Sequence, residues 1–411
     1  MQILKKIIFK PSNNEGNVVC IAAGGTGGHI FPALVTAQYL IDNGYEIVFV
    51  TDARFHNFSQ HWQDILQNKS FTLITLDVKQ VHGVFLSIFV RILEFIRAIY
   101  KCFNLLKIFK TRAVIGFGSY TSLPVILGAF LRGIPAIIHE QNTYLGLGNR
   151  ISSLFVKKVL TSFPKTYGFL PFTIKKAVFT GIPVRKSILD LYYTNTNSNI
   201  NYNAFFRTSE RVNILVLGGS QGAGIFSDIL PKMLEFLDDD LIAKLFIYHQ
   251  ARHVDIKKVA EEYKKHGIRY HVNSFFHDIG DLMTMSHLVI SRAGAGSISE
   301  LCVCGAPSLL VPYKYAKNNH QFLNAKYLYQ NGACLLVDQD SFTPEKLAHI
   351  VQSLVENDNE LLNLSTNIKS FAVLDAHEKI KNILLDVLNI DRSEVKNKPH
   401  KGVNTGDVGI G

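Results

Sequence analysis

The sequence predicts an α/β protein made of two similar halves, each built on parallel strands. Three observations predict it. An apolar, β-branched run at 18–23 leads through Gly24-Gly25-Thr26-Gly27-Gly28-His29 into a segment with Ile30, Leu34, Ala37, Leu40 and Ile41 on one helical face. The same order restarts at 212–217, passes through Gly218-Gly219-Ser220-Gln221-Gly222-Ala223-Gly224 and enters a helix near Ile225. Between the two lies a run containing Asn195, Asn197, Asn199, Asn201 and Asn203, which reads as a linker. The expected division is an extension at 1–17, a first domain at 18–190, a linker at 191–211, a second domain at 212–388 and a disordered tail at 389–411.

Composition agrees. Hydrophobic residues make up 47% of the 411 and charged ones 18%, enough apolar material for two cores. A net charge of +10 and a pI of 9.2 favour an anionic partner. No nucleic-acid module is recognisable, so lipid and phosphorylated substrates come first. The five cysteines are odd in number and lie in apolar contexts, as reduced core residues do. Cys302-x-Cys304 has the wrong spacing for a redox or zinc pair. At 1–10 the apolar core between Lys5, Lys6 and Lys10 is too short for a secretory signal.

In the first glycine turn, missing side chains let a ligand approach the backbone, and the following helix start suits an anion. Ile30 stands where a dinucleotide fingerprint would place its third glycine, so that motif is not met. His29 is the titratable group of the turn and the first candidate for proton transfer. A second strand at 46–52 ends in Asp52, either a ribose-binding acid or a strand-end turn residue. A third strand is expected at 73–76.

At 84–110 Phe85, Ile88, Phe89, Ile92, Leu93, Ile96, Ile99, Phe103 and Leu106 form a broad apolar surface. Arg91, Glu94, Arg97, Lys101, Asn104 and Lys107 line one side of it. The charges interrupt it too often for a membrane-spanning helix. Two readings stand: an interfacial helix facing anionic lipid, or a core helix with a basic edge. Strands at 113–118 and 135–138 follow, and the second ends in the polar cluster His139-Glu140-Gln141-Asn142. Ligands gather at such strand ends. Arg185 closes the half as a candidate phosphate clamp.

In the second half further strands are expected at 245–248, 288–291 and 307–312. Asp238-Asp239-Asp240 reads as a solvated turn rather than a diphosphate-holding metal site. A third glycine turn, 292–296, enters another helix. Ser297 and Glu300 have capping-box spacing there, while a carboxylate at Glu300 could also accept from a ribose diol.

Together the motifs at 24–29, 118–120, 139–142, 218–222 and 292–300 resemble the MurG family, inverting transferases of glycosyltransferase family 28 that form lipid II. The likeness runs from about Val18 to Leu388. It implies a GT-B fold: two Rossmann-like domains facing across a cleft, with the last helix returning to the first domain. It implies transfer of N-acetylglucosamine from UDP-N-acetylglucosamine to the C4 hydroxyl of the muramoyl unit of lipid I, with inversion. By motif, Thr26, Gly27 and Gly28 line the acceptor side. Asn142, Arg185 and Ser220 belong to the donor and phosphate site, and Phe276 meets uracil through its backbone. Ala295, Gly296, Ser297, Ile298 and Ser299 shape the donor loop, Glu300 holds the ribose and Gln321 contacts the sugar. His29 is the preferred base and Glu140 the alternative. No cofactor is required, with a divalent cation as an optional aid, and no metal ligand is assigned. The implied location is peripheral, on the cytoplasmic face of the inner membrane, held by Phe85, Ile88, Phe89, Arg91, Arg97 and Lys101. Other cell-wall or division proteins are candidate partners.

Ser119 departs from the family's usual glycine, His320 from a Gln-Gln pair, and the loop before His320 is one residue longer. Two other classes share the expectations: a UDP-sugar epimerase, and a membrane-bound sensor of the sugar nucleotide without turnover.

Overall fold

The computed structural model describes residues 17–24, 26–57, 62–76, 86–197, 211–219 and 222–390. The first half runs β1 (Val18–Ala22), α1 (Gly27–Asp42), β2 (Glu46–Thr51), α2 (Gln63–Gln67), β3 (Phe71–Thr75), α3 (Leu86–Ile108), β4 (Ala113–Gly116), α4 (Ser119–Leu131), β5 (Ala136–Glu140), α5 (Leu147–Ser152), β6 (Lys158–Thr161), β7 (Ala177–Phe179) and α6 (Lys186–Asn197). The second runs β8 (Val212–Leu217), α7 (Gly224–Met233), α8 (Asp239–Lys244), β9 (Leu245–Gln250), α9 (Ile256–Lys265), β10 (Arg269–Asn273), α10 (Ile279–Thr284), β11 (Leu288–Ser291), α11 (Ala295–Cys304) and β12 (Ser308–Leu310). It continues through α12 (His320–Tyr329), β13 (Leu335–Leu336), α13 (Pro344–Glu356), α14 (Asp358–Lys369) and α15 (Ala376–Leu388).

The strands form two sheets, ordered β3-β2-β1-β4-β5-β6-β7 and β10-β9-β8-β11-β12-β13, with parallel pairing throughout. The strand order of each sheet reverses at its centre, between β1 and β4 and between β8 and β11. Chain leaving such a pair diverges to opposite faces and opens a crevice at the strands' carboxyl ends. The glycine turns read from the sequence fall at these two places. The turn after β1 and the Gly118-Ser119 turn after β4 flank one; the turns after β8 and β11 flank the other.

Central strands buried on both faces explain the unbroken apolar runs, such as Ile214 to Val216, all fully buried. Each sheet carries a core on both faces. The cores do not divide at residue 190. Ile188 of α6 packs in the second half's core with Leu301 and Val303. Conversely, Ile380 and Leu384 of α15 pack in the first half's core with Val19 and Ile21. The expected boundary therefore falls inside α6, a continuous helix already docked on the second half. Helical periodicity was masked there by the asparagines that suggested a linker. Residues 198–210, 1–16 and 391–411 lie outside the described residues.

Two smaller departures have local causes. Ser119 takes φ +72°, a left-handed conformation that glycine adopts without a Cβ penalty. The longer loop before α12 is accommodated by two consecutive left-handed asparagines, Asn318 and Asn319, at φ +55° and +51°. Asparagine tolerates that region better than other side chains.

Candidate active site

Both crevices open into one cleft of about 2280 Å³ between the halves. On the first side Gly24 has no room for a side chain: a Cβ there would collide with the Asp52 carboxylate and the Thr121 hydroxyl. Asp52 accepts from the backbone N–H of Arg54 at 3.0 Å, its Nε at 2.9 Å, its Nη2 at 2.8 Å, and the Thr121 hydroxyl at 2.9 Å. Burial opposes its charge, but these bonds outweigh burial and hold the carboxyl below its ordinary range. Asp52 thus buttresses the turn from beneath and is not among the residues that line the cleft.

The turn delivers Thr26, Gly27, Gly28 and His29 to the cleft wall. Thr26 is extended and α1 starts at Gly27, so the start of the helix lies at the cleft wall. His29 Nδ1 lies 2.8 Å from Gln141 Oε1. Gln141 Nε2 lies 3.1 Å from both Nδ1 and the carbonyl oxygen of His139. His139 is fully buried, stacked on Phe117, and its Nε2 is 2.9 Å from the Gly181 carbonyl.

Glu140 is occupied differently. Its Oε1 accepts from the backbone and side chain of Asn142, and its Oε2 from the Gly146 N–H and Asn149 Nδ2. Four donors on a buried carboxylate make it the organiser of the loop after β5. Asn142 is held from across the cleft: Asn324 Nδ2 donates to Asn142 Oδ1 and to the Ala293 carbonyl, while Asn324 Oδ1 accepts from the N–H and hydroxyl of Thr143.

On the second side, a Cβ on Gly218 would strike the backbone of Gly222 and Ala223. One on Gly224 would meet the Arg252 guanidinium at 2.8 Å. The β8–α7 turn is thus tight by necessity and carries Arg252 against it. Arg252 is itself paired with Asp255. Ser220 lies outside the described residues. Phe276 is buried at the cleft wall, edge-on to His271.

Glu300 sits in the second turn of α11, whose N-cap is Gly294. The capping-box alternative is therefore overturned: Ser297 lies inside the helix. The Glu300 carboxylate instead accepts from Arg185 Nε at 2.9 Å and Nη2 at 2.8 Å. The expected ribose ligand and phosphate clamp are partners of one another across the junction. Ala295, Gly296 and Ser297 line the cleft, but Ile298 and Ser299 do not. Helical rotation turns Ile298 into the second half's core and Ser299 toward a smaller cavity of about 560 Å³ behind the junction. Gln321 lines the cleft with its Oε1 accepting from the Tyr313 N–H at 2.9 Å.

Sequence reasoning missed Arg252 and Asn324. Arg252 follows β9, the strand beside β8, so its place at a central strand end was the available signal. Asn324 stands one turn after Gln321 in an apolar helix, and only the fold shows what it meets. The acids of α8 occupy that helix's N-cap and first turn, where they suit the helix dipole.

The Glycosyltransferase family 28 N-terminal domain matches residues 19–161, and the Glycosyltransferase family 28 C-terminal domain matches 213–380. The chain belongs to glycosyltransferase family 28. As a family 28 transferase, it is 34% identical over 377 residues to the UDP-N-acetylglucosamine–N-acetylmuramyl-(pentapeptide) pyrophosphoryl-undecaprenol N-acetylglucosamine transferase of Paramagnetospirillum magneticum. That match covers 90% of this chain and 97% of the relative. The solved structure of Acinetobacter baumannii MurG aligns with a TM-score of 0.71 at 26% identity, covering 90% of this transferase and all of that chain. A UDP-N-acetylglucosamine 2-epimerase from Neisseria meningitidis aligns at 0.59 with 14% identity, over 90% of this chain and all of that one, a likeness of fold alone.

Proposed function

We propose that this family 28 transferase moves N-acetylglucosamine from UDP-N-acetylglucosamine to the muramoyl C4 hydroxyl of undecaprenyl-pyrophosphoryl-MurNAc-pentapeptide (lipid I), inverting the anomeric carbon and giving lipid II. One observation carries the reading: a glycine turn from each half faces the same cleft, with a proton acceptor on one side and a guanidinium–carboxylate pair on the other. His29 Nε2 takes the acceptor's hydroxyl proton as the C4 oxygen bonds to the anomeric carbon. The bond from that carbon to the diphosphate oxygen breaks on the opposite face, and its electron pair leaves on UDP. The N–H groups of the β8–α7 turn, the N-terminus of α7, Arg185 and Arg252 meet that charge. A divalent cation is an auxiliary in this reading. Glu300 leaves Arg185 to receive the ribose diol. Glu140, saturated by four donors, is the weaker base.

The acceptor's lipid points to the membrane. Among the described residues no helix is long and apolar enough to cross one. Helix α3 instead has two apolar faces. Ala98, Cys102, Leu105 and Leu106 are buried, while Ile92, Ile96 and Tyr100 are 53%, 54% and 67% exposed. Phe95, between them, lines the cleft. Such a face beside Arg97 and Lys101 suits peripheral docking on anionic lipid at the cytoplasmic face of the inner membrane. Phe85 lies outside the described residues, as do the side chains of Ile88, Phe89 and Arg91.

The test is incubation with labelled UDP-N-acetylglucosamine and a lipid I analogue. A β-linked disaccharide product is expected. A free epimerised sugar nucleotide would favour the epimerase class, and binding without any product the sensor. Replacing Arg91, Arg97 and Lys101 with glutamine should release the protein from anionic vesicles, each lost charge weakening binding by about 1 kcal/mol.

A further inference from the structure

We infer that Gln141 and His139 act as positioning residues that hold His29 as its Nδ1–H tautomer, leaving Nε2 as the lone pair facing the cleft. The inference rests on the reading of His29 as the base and adds the device that aims it.

The argument runs inward from two backbone carbonyls. A carbonyl oxygen only accepts. The Gly181 oxygen lies 2.9 Å from His139 Nε2, so that nitrogen carries a proton. Full burial pushes the His139 pKa down to about 4, with the nearby His29 adding to the effect and the Gly181 bond only partly offsetting it. His139 is therefore neutral with a single ring proton, and its Nδ1 is an acceptor. The His139 carbonyl is the second fixed point. Gln141 Nε2 lies 3.1 Å from it, so the amide nitrogen, not its oxygen, must face that way. The same NH2 group then donates to His139 Nδ1, also at 3.1 Å. With its orientation set at both contacts, Gln141 turns Oε1 toward His29 Nδ1 at 2.8 Å. An amide oxygen only accepts, so Nδ1 of His29 carries the proton.

The consequence is specific. An unconstrained neutral histidine favours its Nε2–H form, which would present an N–H to an acceptor hydroxyl and could not take its proton. The relay reverses that preference. Among the described residues His29 Nε2 makes no hydrogen bond of its own, and His29 lines the cleft. The far end of the relay is held rigidly. His139 stacks on Phe117 with 5.3 Å between ring centroids, and Gly181, at φ +75°, has Val373 packed where a side chain would stand. When Nε2 takes a proton, the imidazolium keeps its Nδ1–H bond to Gln141, so no group has to reorient during transfer.

The experiment uses the full-length protein with ¹⁵N-labelled histidine. Two-bond proton–nitrogen spectra are recorded well above the imidazole titration range, with the His29 signals identified by their loss in His29→Gln. We expect the Nδ1–H pattern in the wild type. In Gln141→Leu the pattern should revert to Nε2–H, and kcat should fall by roughly 10- to 100-fold with KM for UDP-N-acetylglucosamine unchanged. Gln141→Glu keeps an acceptor on His29 and should keep the Nδ1–H pattern. An Nε2–H wild type overturns the inference, as does a Gln141→Leu variant with unaltered tautomer and kcat. If Gln141→Leu fails to fold, the wild-type and Gln141→Glu spectra still decide. A fully active His29→Gln alongside an Nδ1–H wild type refutes His29 as the base and leaves the tautomer lock standing. An inactive His29→Gln alongside an Nε2–H wild type does the reverse.

Discussion

The two central glycine turns use one device but are backed by different groups. After β1, the turn is backed by polar side chains: Asp52 and Thr121 beneath Gly24, and Gln141 beside His29. After β8, it is backed by its own backbone and by Arg252. The first therefore presents a proton acceptor with a fixed orientation. The second presents N–H groups and positive charge without a titrating group among its described residues. The strand–turn–helix unit supplies a crevice and a positive helix end; under the proposed function the side chains behind each turn suit it to a different substrate.

That contrast can be broken most severely at His29. His29→Ala should lower turnover by roughly 10²–10⁴-fold, the range for a positioned proton acceptor. UDP binding measured by calorimetry should not change, because the proposed function assigns it to the other turn. Loss of both together would mean that the halves do not divide the work as described.

Glu300→Gln tests the donor side. Charge-assisted bonds to the ribose diol are worth about 1.5–3 kcal/mol, so UDP affinity should fall by roughly 10- to 150-fold. Turnover at saturating donor should stay within a few-fold of wild type. Because Glu300 caps no helix, the thermal melt reads only the lost Arg185 pair, and a large drop in melting temperature with unchanged affinity would withdraw Glu300 from the donor site.

Glycine-to-alanine substitutions separate folding from ligand approach. Gly218→Ala meets backbone that cannot move aside and should destabilise the fold by about 1–3 kcal/mol. At Gly28 the nearest obstacle is the Thr26 hydroxyl at 3.7 Å, so the site is open. Gly28→Ala should be as stable as wild type, or gain about 0.5–1 kcal/mol from helix propensity, while losing turnover. Denaturant melts and product assays on the pair read the two effects independently.

Acid should weaken both halves. Burial pushes His139, His287 and His377 down to about 4 and His249 to about 3. Each folded pKa lies below the value of about 6.5 that an unfolded chain shows. Above that value neither state holds the proton and stability is full. As pH falls from there toward 4 the unfolded chain takes up protons first, so stability declines across that window. Melting temperatures measured over this range should drop steadily; a flat profile would mean that these histidines are not neutral in the fold. The smallest effect is at Ser119, where Ser119→Gly relieves the left-handed backbone. It should raise stability by no more than about 1 kcal/mol, the strain removed being partly offset by glycine's freedom in the unfolded chain.

Much of this was legible in the chain itself. Hydrophobic periodicity and β-branched runs are local, so the strands β1, β2, β8 and β11 and the helices after the glycine turns could be read directly. Glycine placement marked the crevices, since a turn that excludes Cβ atoms cannot hide its composition. Ser119 stands out only against the family's usual glycine, and its left-handed backbone gives the reason.

What the sequence could not state is which distant residues meet. Nothing local distinguishes Glu300 as a cap from Glu300 as a partner of Arg185, and the spacing with Ser297 pointed to the cap. Asn324 reaches Thr143 across 181 residues, and His29 reaches Gln141 across 112. The docking of α6 on the second half's core is likewise a choice between two apolar surfaces of similar character, whereas the return of α15 to the first half was implied by the family resemblance. Local pattern sets what a segment can form, because it depends on neighbours within a turn or a pleat. Which donor each carboxylate meets, which histidine is aimed and where α6 docks depend on where the two sheets come to rest against each other, and only the tertiary structure decides that.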